Sequence, residues 1–207
     1  MMEAMRTVST VEELRAIVGE PHKLVKEKVS PTLAPIHRDW LARSPLGFVA
    51  TTDADGNIDV SPKGDPPGFV HVIDDSTIAI PERPGNKRVD GYLNVLQRPR
   101  AGTLFVVPGR GDTLRINGAA TVVADADYFD AMMVAGKRPI LALQIAIEEV
   151  FFHCAKAFLR SDTWKPDTWR PDALPSVAQM VKAMDAGLSL AELEERFSEE
   201  SMRTELY

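Results

Sequence analysis

The chain changes its hydrophobic period once, near Leu46, and that change most restricts what it can fold into. Before it, apolar residues fall at helical spacing. Leu14, Ile17 and Val18 follow a Thr10-x-x-Glu13 capping box, Leu24, Val25 and Val29 follow Pro21, and Ile36, Trp40 and Leu41 precede Pro45. From Leu46 the pattern alternates every second residue, as a half-buried strand requires. "LGFVATTDADGNIDVSPKGD" reads as a hairpin around Asp53-Ala54-Asp55-Gly56-Asn57, and "GFVHVIDDSTIAIPE" as a second hairpin around Asp74-Asp75-Ser76. Val89, Leu93 and Leu96 predict a helix ending before Pro99. The runs "AGTLFVVPG", "DTLRINGAATVV" and "PILALQIAIEEVFF" predict further strands, with a short helix near Tyr128 to Val134 between the last two.

A doubly wound parallel sheet needs a crossover helix after nearly every strand, and these runs lack them. The pattern therefore predicts a mainly β chain: a β-barrel of six or seven antiparallel strands with flanking helices. Asn117-Gly118, inside a strand-like run that resumes at once, predicts a bulge or bend that helps the sheet close. The expected organisation is N-terminal helices over 1–45, the barrel over 46–170 and an acidic helical extension over 171–207. The extension reads as two helices divided by Gly187, with seven acids and two bases from Asp185 to Tyr207.

Charge and cysteine content narrow the function. The net charge of −6 opposes nucleic acid as a main partner, because a duplex-binding protein carries an excess of cations to replace condensed counterions. A single cysteine, Cys154, and scattered His22, His37, His71 and His153 provide neither a disulfide nor metal-ligand spacing. Charges interrupt every apolar run near the N-terminus, so no export signal or membrane span is expected, and the chain reads as soluble and cytoplasmic. Cys154 and His153 are expected in buried or half-buried structural roles. Arg110-Gly111-Asp112 is expected in a hairpin turn, Trp164 and Trp169 in packing, and Arg98 and Arg100 at the end of the preceding helix.

One stretch runs against the acidic balance. "PERPGNKRVDGYLNVLQRPR" holds five cations and two acids, with Gly85-Asn86-Lys87-Arg88 directly before the helix predicted from Val89. A helix N-terminus presents unpaired N–H groups and partial positive charge, which disfavours cations unless an anion is bound there. The turn is thus either an anion site or an exposed turn, and it is not a Walker loop.

Taken together, "DVSPKGDPPGF", "PGNKR", "LRINGAA" and "FFHCAKAFLRSDTW" resemble the flavin-binding split-barrel family related to pyridoxamine phosphate oxidase. The likeness spans about Trp40 to Trp169 and is nearest to a subgroup of FMN-dependent enzymes of unassigned substrate. It implies FMN contacts at Val60, Ser61, Pro62 and Lys63, and at Ile80, Pro81, Glu82, Asn86, Lys87 and Arg88. Arg115 and Asn117 would approach from the other subunit of a homodimer, and Lys156, Arg160 and Ser161 are further candidates. The implied activity is hydride transfer through FMN at the dimer interface, from a donor such as NAD(P)H or a small substrate. The alternatives are a flavin carrier or redox sensor without turnover, and a deazaflavin-dependent reductase. No histidine follows His153 and the chain ends in acidic helices, so the arginine-histidine signature that grips pyridoxal phosphate is missing and vitamin B6 oxidation is not expected.

Overall fold

Strand β1 (Leu46–Thr52) leads into β2 (Ile58–Gly64) through the expected turn, where Asp53 Oδ1 accepts the Asn57 N–H at 2.8 Å and Gly56 adopts φ 90°. A positive φ of this kind is cheap only for glycine. The computed structural model describes residues 5–184 and 187–207. In it β3 (His71–Asp74), β4 (Thr77–Glu82), β5 (Arg100–Val106), β6 (Thr113–Val123) and β7 (Leu141–His153) complete one seven-stranded antiparallel sheet in the order β2-β1-β5-β6-β7-β4-β3.

The alternation in the sequence becomes two faces of this sheet. Val49, Phe105, Leu114, Ile116, Ile145, Val150, Ile78 and Ile80 point to one side and form the main core. Trp40 and Leu41 from α3 (Pro35–Leu41) and Tyr92 and Val95 from α4 (Asp90–Gln97) join that core. A smaller cluster of Ala79, Ala142, Phe129 and Met132 lies where the 3-10 segment Asp127–Met132 packs against the sheet. The long β6–β7 pair shifts register between Asn117 and Gly118, as the Asn-Gly pair predicts. A Cβ on Gly118 would lie 1.9 Å from the Ala146 carbonyl oxygen, so only glycine fits there.

β2 and β3 end the hydrogen-bonded order, and the sheet curls until the two ends meet through side chains. Lys63 of β2 pairs with Glu82 of β4, and Asp65, just past β2, pairs with Arg83 at 2.7 Å. This is the barrel with a split. Proline is tolerated at both sides of that seam for one reason. Pro62 lies on an edge strand, and β3 pairs with β4 only as far as Ala79, leaving Pro81 with a single hydrogen-bonded neighbour strand.

The flanks bring three corrections. α1 (Val11–Val18), capped by Thr10 Oγ1, and α2 (Lys23–Glu27) bury none of their residues. The C-terminal extension forms three helices rather than two, α6 (Val177–Ala183), α7 (Leu190–Arg196) and α8 (Glu199–Thr204), because Ser198 caps a third start. Its acidic stretch begins at Asp185, which lies outside the described residues, as do residues 1–4 of the N-terminal segment. Arg98 caps α4 with its backbone N–H, which donates to the Asn94 carbonyl, but neither guanidinium serves that end: the Arg98 side chain donates to the Ala54 carbonyl in the β1–β2 turn and Arg100 pairs with Glu148 on β7. These fixed partners outcompete frayed helix carbonyls for the side chains. Cys154 is exposed rather than buried, because the chain leaves β7 there for α5 (Lys156–Ser161).

Candidate functional site

The alternation of β2 divides its predicted residues. Asp59, Ser61 and Lys63 are partly buried and turn toward the seam, while Ile58, Val60 and Pro62 are exposed on the opposite face. Glu82 ends β4 opposite Lys63, and the loop that follows places Asn86 and Arg88 beside both. With Asp90, Gly91 and Tyr92 at the start of α4, these groups enclose a pocket of about 190 Å³. Ser61, Lys63, Glu82, Asn86 and Arg88 are therefore gathered at one place. Ile80 is buried in the core beneath it, Pro81 is buried on the other side of β4, and Lys87 is exposed on the loop.

At the floor, Lys63 Nζ bonds Glu82 Oε2, which also accepts the Tyr92 hydroxyl at 2.9 Å. The ammonium sits 5.2 Å from the Tyr92 ring centroid, a cation–π distance. The Lys63 and Glu82 side chains are only 17% and 16% exposed, so each charge depends on the other: removing one partner of a buried pair costs about 3–5 kcal/mol. Burial, and then the Glu82 charge and hydrogen bond, push the Tyr92 phenol well above its ordinary pKa, so it stays a donor.

The loop is held in an unusual backbone. Lys87 and Val89 have φ of 62° and 50°, and for a β-branched residue such as Val89 this is a strained conformation. Asn86 Oδ1 accepts the Arg88 N–H at 3.0 Å, and the Arg88 guanidinium pairs with Asp90 at 2.7 Å. Lys87 has no hydrogen-bond or ion-pair partner among the described residues. The pocket also contains Asp59, Glu82 and Asp90 carboxylates, which the cation-rich sequence had obscured.

Tyr92, Asp59 and Gly91 were missed in the sequence because the apolar positions Val89, Leu93 and Leu96 point to the wrong helix face. Leu93 and Leu96 are exposed, and α4 instead buries Tyr92 and Val95. Gly91 explains the rotation: a Cβ there would lie 3.1 Å from Asp59 Oδ2, so the helix meets β2 along its Gly91 face. Asn94, one turn on, donates to Thr51 Oγ1 at 3.1 Å. Gly91 and Asn94 three residues apart were the available signal.

The remaining predicted residues lie elsewhere. Arg115 and Asn117 share the outer face with Val60, Phe48 and Leu104 around an open hollow of about 390 Å³. There Arg115 stacks on Phe151 and Asn117 donates to Glu149 at 2.9 Å. Lys156, Arg160 and Ser161 are exposed on α5 and do not line the seam pocket, Ser161 donating to the Ala157 carbonyl. Trp164 donates to the Arg110 carbonyl at 2.7 Å and stacks on Phe158, a packing role. Among the described residues no cluster of three potential metal ligands occurs, and no helix is long and apolar enough to cross a membrane.

The HupZ protein of Group A Streptococcus is 23% identical, with 58% of this chain and 93% of that chain covered and a TM-score of 0.47. A protein of Lactobacillus delbrueckii described as a candidate pyridoxamine 5'-phosphate oxidase is 27% identical, covering 59% and 95%, with a TM-score of 0.46. A FAD-binding protein of Mesorhizobium loti is 18% identical, covering 60% and 96%, with a TM-score of 0.40. No curated protein matches the chain. A family model described as pyridoxamine 5'-phosphate oxidase matches residues 33–154, which is more than half of the 207 residues and contains the whole sheet with its seam. The chain belongs to the pyridoxamine 5'-phosphate oxidase family.

Proposed function

We propose that the protein is an FMN-dependent oxidoreductase that works as a homodimer, with NAD(P)H or a small organic molecule as hydride donor. The observation that carries this reading is the seam pocket, where the strained Asn86–Val89 loop closes over Ser61, Lys63 and Glu82.

The residues fit a flavin phosphate. Among the described residues Lys87 is unpaired, and Arg88 is held only by an exposed pair with Asp90 of the kind worth about 0–1 kcal/mol, so it is free to exchange partners. A phosphate would gain charge-assisted bonds from both, and the arginine fork suits two oxygens at once. Ser61 Oγ, bonded to Asp59 Oδ2 at 3.2 Å, offers a further hydroxyl. The Glu82 carboxylate, beside Lys63 and Tyr92, suits the ring system, whose polar edge contains N–H groups as well as acceptors. When bound, FMN supplies the hydride-accepting ring nitrogen, and the protein need not furnish a nucleophile. The chain's own task is to orient and insulate. The Lys63–Glu82–Tyr92 cluster fixes the floor, and neutral Tyr92 holds its proton toward Glu82 rather than releasing it. Arg115 and Asn117, on the outer face, would complete the site of the partner subunit.

An absorption spectrum of protein titrated with FMN, followed by anaerobic addition of NADPH, tests this reading. Saturable micromolar binding with bleaching of the flavin bands is expected. Binding without bleaching by any reductant or candidate donor would leave a carrier, and absence of binding would remove the proposal.

A further inference from the structure

Glu82 and Arg83 are consecutive at the end of β4, yet they serve different places. Glu82 meets Lys63 and Tyr92 in the seam pocket. Arg83 Nε donates to Asp65 Oδ2 at 2.7 Å, and its Nη2 donates to the Met132 carbonyl at 2.6 Å. Two edges of the guanidinium are thereby fixed, with the Arg83 side chain 12% exposed and that of Asp65 3%. The third edge has no partner: Arg83 Nη1 is buried and makes no hydrogen bond among the described residues. A buried donor left unbonded costs on the order of 1–3 kcal/mol, more when charged, and such groups in native proteins mark a missing water, ion or ligand.

A hollow of about 280 Å³ lies beside this guanidinium. Pro66, Pro67, Phe69, Met132 and Met133 contribute apolar side chains to its wall, while polar atoms make up most of the surface it exposes; His71 is among its lining residues and stacks on Tyr128 at 5.5 Å. That size approaches the range of roughly 300–1,000 Å³ for drug-sized ligands. Tyr207 covers the guanidinium from one side. Its ring centroid is 5.6 Å from Arg83 Cζ, and its hydroxyl donates to Asp65 Oδ1 at 2.8 Å. Among the described residues this is the one hydrogen bond joining the segment 176–207 to the barrel. The weakest-held wall of the guanidinium is therefore Tyr207.

We propose that this hollow is a binding site for a small carboxylic acid, whose carboxylate accepts from Arg83 Nη1 and whose entry displaces Tyr207. A charged acceptor is the better match, because a hydrogen bond between ionised groups is roughly twice as strong as a neutral one. The pinned guanidinium loses little freedom when the acid binds. The site uses neither the Asn86–Val89 loop nor Lys63, so its failure would leave the flavin reading intact.

Calorimetric titration of the full chain with benzoate, and with benzamide as the uncharged counterpart, tests the site. Saturable benzoate binding is expected, with benzamide weaker by about 10-fold or more, equivalent to ~1.4 kcal/mol. Met133→Trp fills the hollow from an exposed position and leaves Arg83 in place; it should weaken benzoate by about 10-fold or more on the same scale. Tyr207→Ala should tighten it by about 3-fold, since the acid no longer competes with the phenol ring. Lack of saturable binding at ~10 mM, equal affinity for benzamide, indifference to Met133→Trp or weaker binding by Tyr207→Ala would each overturn the proposal; 10 mM is a weak limit of ~2.7 kcal/mol.

Discussion

The two faces of β2 are built from alternate residues of one seven-residue strand, yet they are finished very differently. On the seam side, Lys63 finds Glu82, Ser61 finds Asp59, and Tyr92 closes the cluster. On the outer side, Ile58 and Val60 are 72% and 60% exposed and Phe48 of β1 lies beside them. The difference comes from position in the sheet. As an edge strand of a curled sheet, β2 meets β4 across the split with one face, while Ile58 and Val60 on the other are exposed among the described residues. One face is a finished polar pocket, and the other is an apolar surface of the kind that a second subunit covers.

The largest expected effect attacks the framework common to both faces. Gly118→Ala places a methyl group against the Ala146 carbonyl at the bulge that sets the β6–β7 register. A backbone clash of this kind should cost on the order of 3 kcal/mol or more, read as a lower urea midpoint. An unchanged midpoint would mean that the bulge relaxes freely and does not set the two faces.

Next is the pocket alone. Lys87→Ala with Arg88→Ala should weaken FMN by about 100-fold, or ~2.7 kcal/mol, for two lost charge-assisted contacts. Riboflavin, which lacks the phosphate, should be almost unaffected. Equal losses for both ligands would sink the phosphate assignment while leaving the pocket.

The outer face is tested by Val60→Glu, which puts a charge where the proposed homodimer buries an apolar side chain. Dimer dissociation should become easier by about 2 kcal/mol, in the range for an unpaired charge at an interface, measured by sedimentation equilibrium. Val60 points away from Lys63, so monomer stability should hold. A wild-type chain that is monomeric at all concentrations would end the dimer reading, and the partner role of Arg115 and Asn117 with it.

How much of this was legible follows from what each signal depends on. Alternation and turn residues are local, so the hairpins, the seven strands and the Asn117-Gly118 bulge could be read directly. The resemblance drew Ser61, Lys63, Glu82, Asn86 and Arg88 from separate segments, and these five line one pocket. What could not be read depends on contacts distant in sequence. The curl that pairs Lys63 with Glu82, the rotation of α4 imposed by Gly91 against Asp59, and the approach of Tyr207 to Asp65 each join segments whose patterns carry no mark of the other. The charge count misled for the same reason: Arg100 looked like a helix cap because its partner Glu148 is far from it in the chain.

The smallest effect sharpens the account of the seam floor. Tyr92→Phe removes the hydrogen bond to Glu82 but keeps the ring under Lys63, so at neutral pH it should cost about 1 kcal/mol. Its pH dependence is more informative. Burial raises the Tyr92 pKa above the ordinary value of 10.0, so above pH 10 the unfolded chain has lost this proton while the folded chain keeps it. The unfolded state then binds fewer protons, and stability falls with rising pH by up to about 1.4 kcal/mol per pH unit. Phenylalanine has no such proton, and the other tyrosines titrate alike in both proteins. The stability gap between wild type and Tyr92→Phe should therefore be constant from pH 7 to 9 and shrink above pH 10, vanishing near pH 11 on the slope of ~1.4 kcal/mol per unit. A gap that stays constant to pH 11 would mean that Tyr92 ionises as readily in the fold as in the unfolded chain, and that Glu82 is held by Lys63 alone.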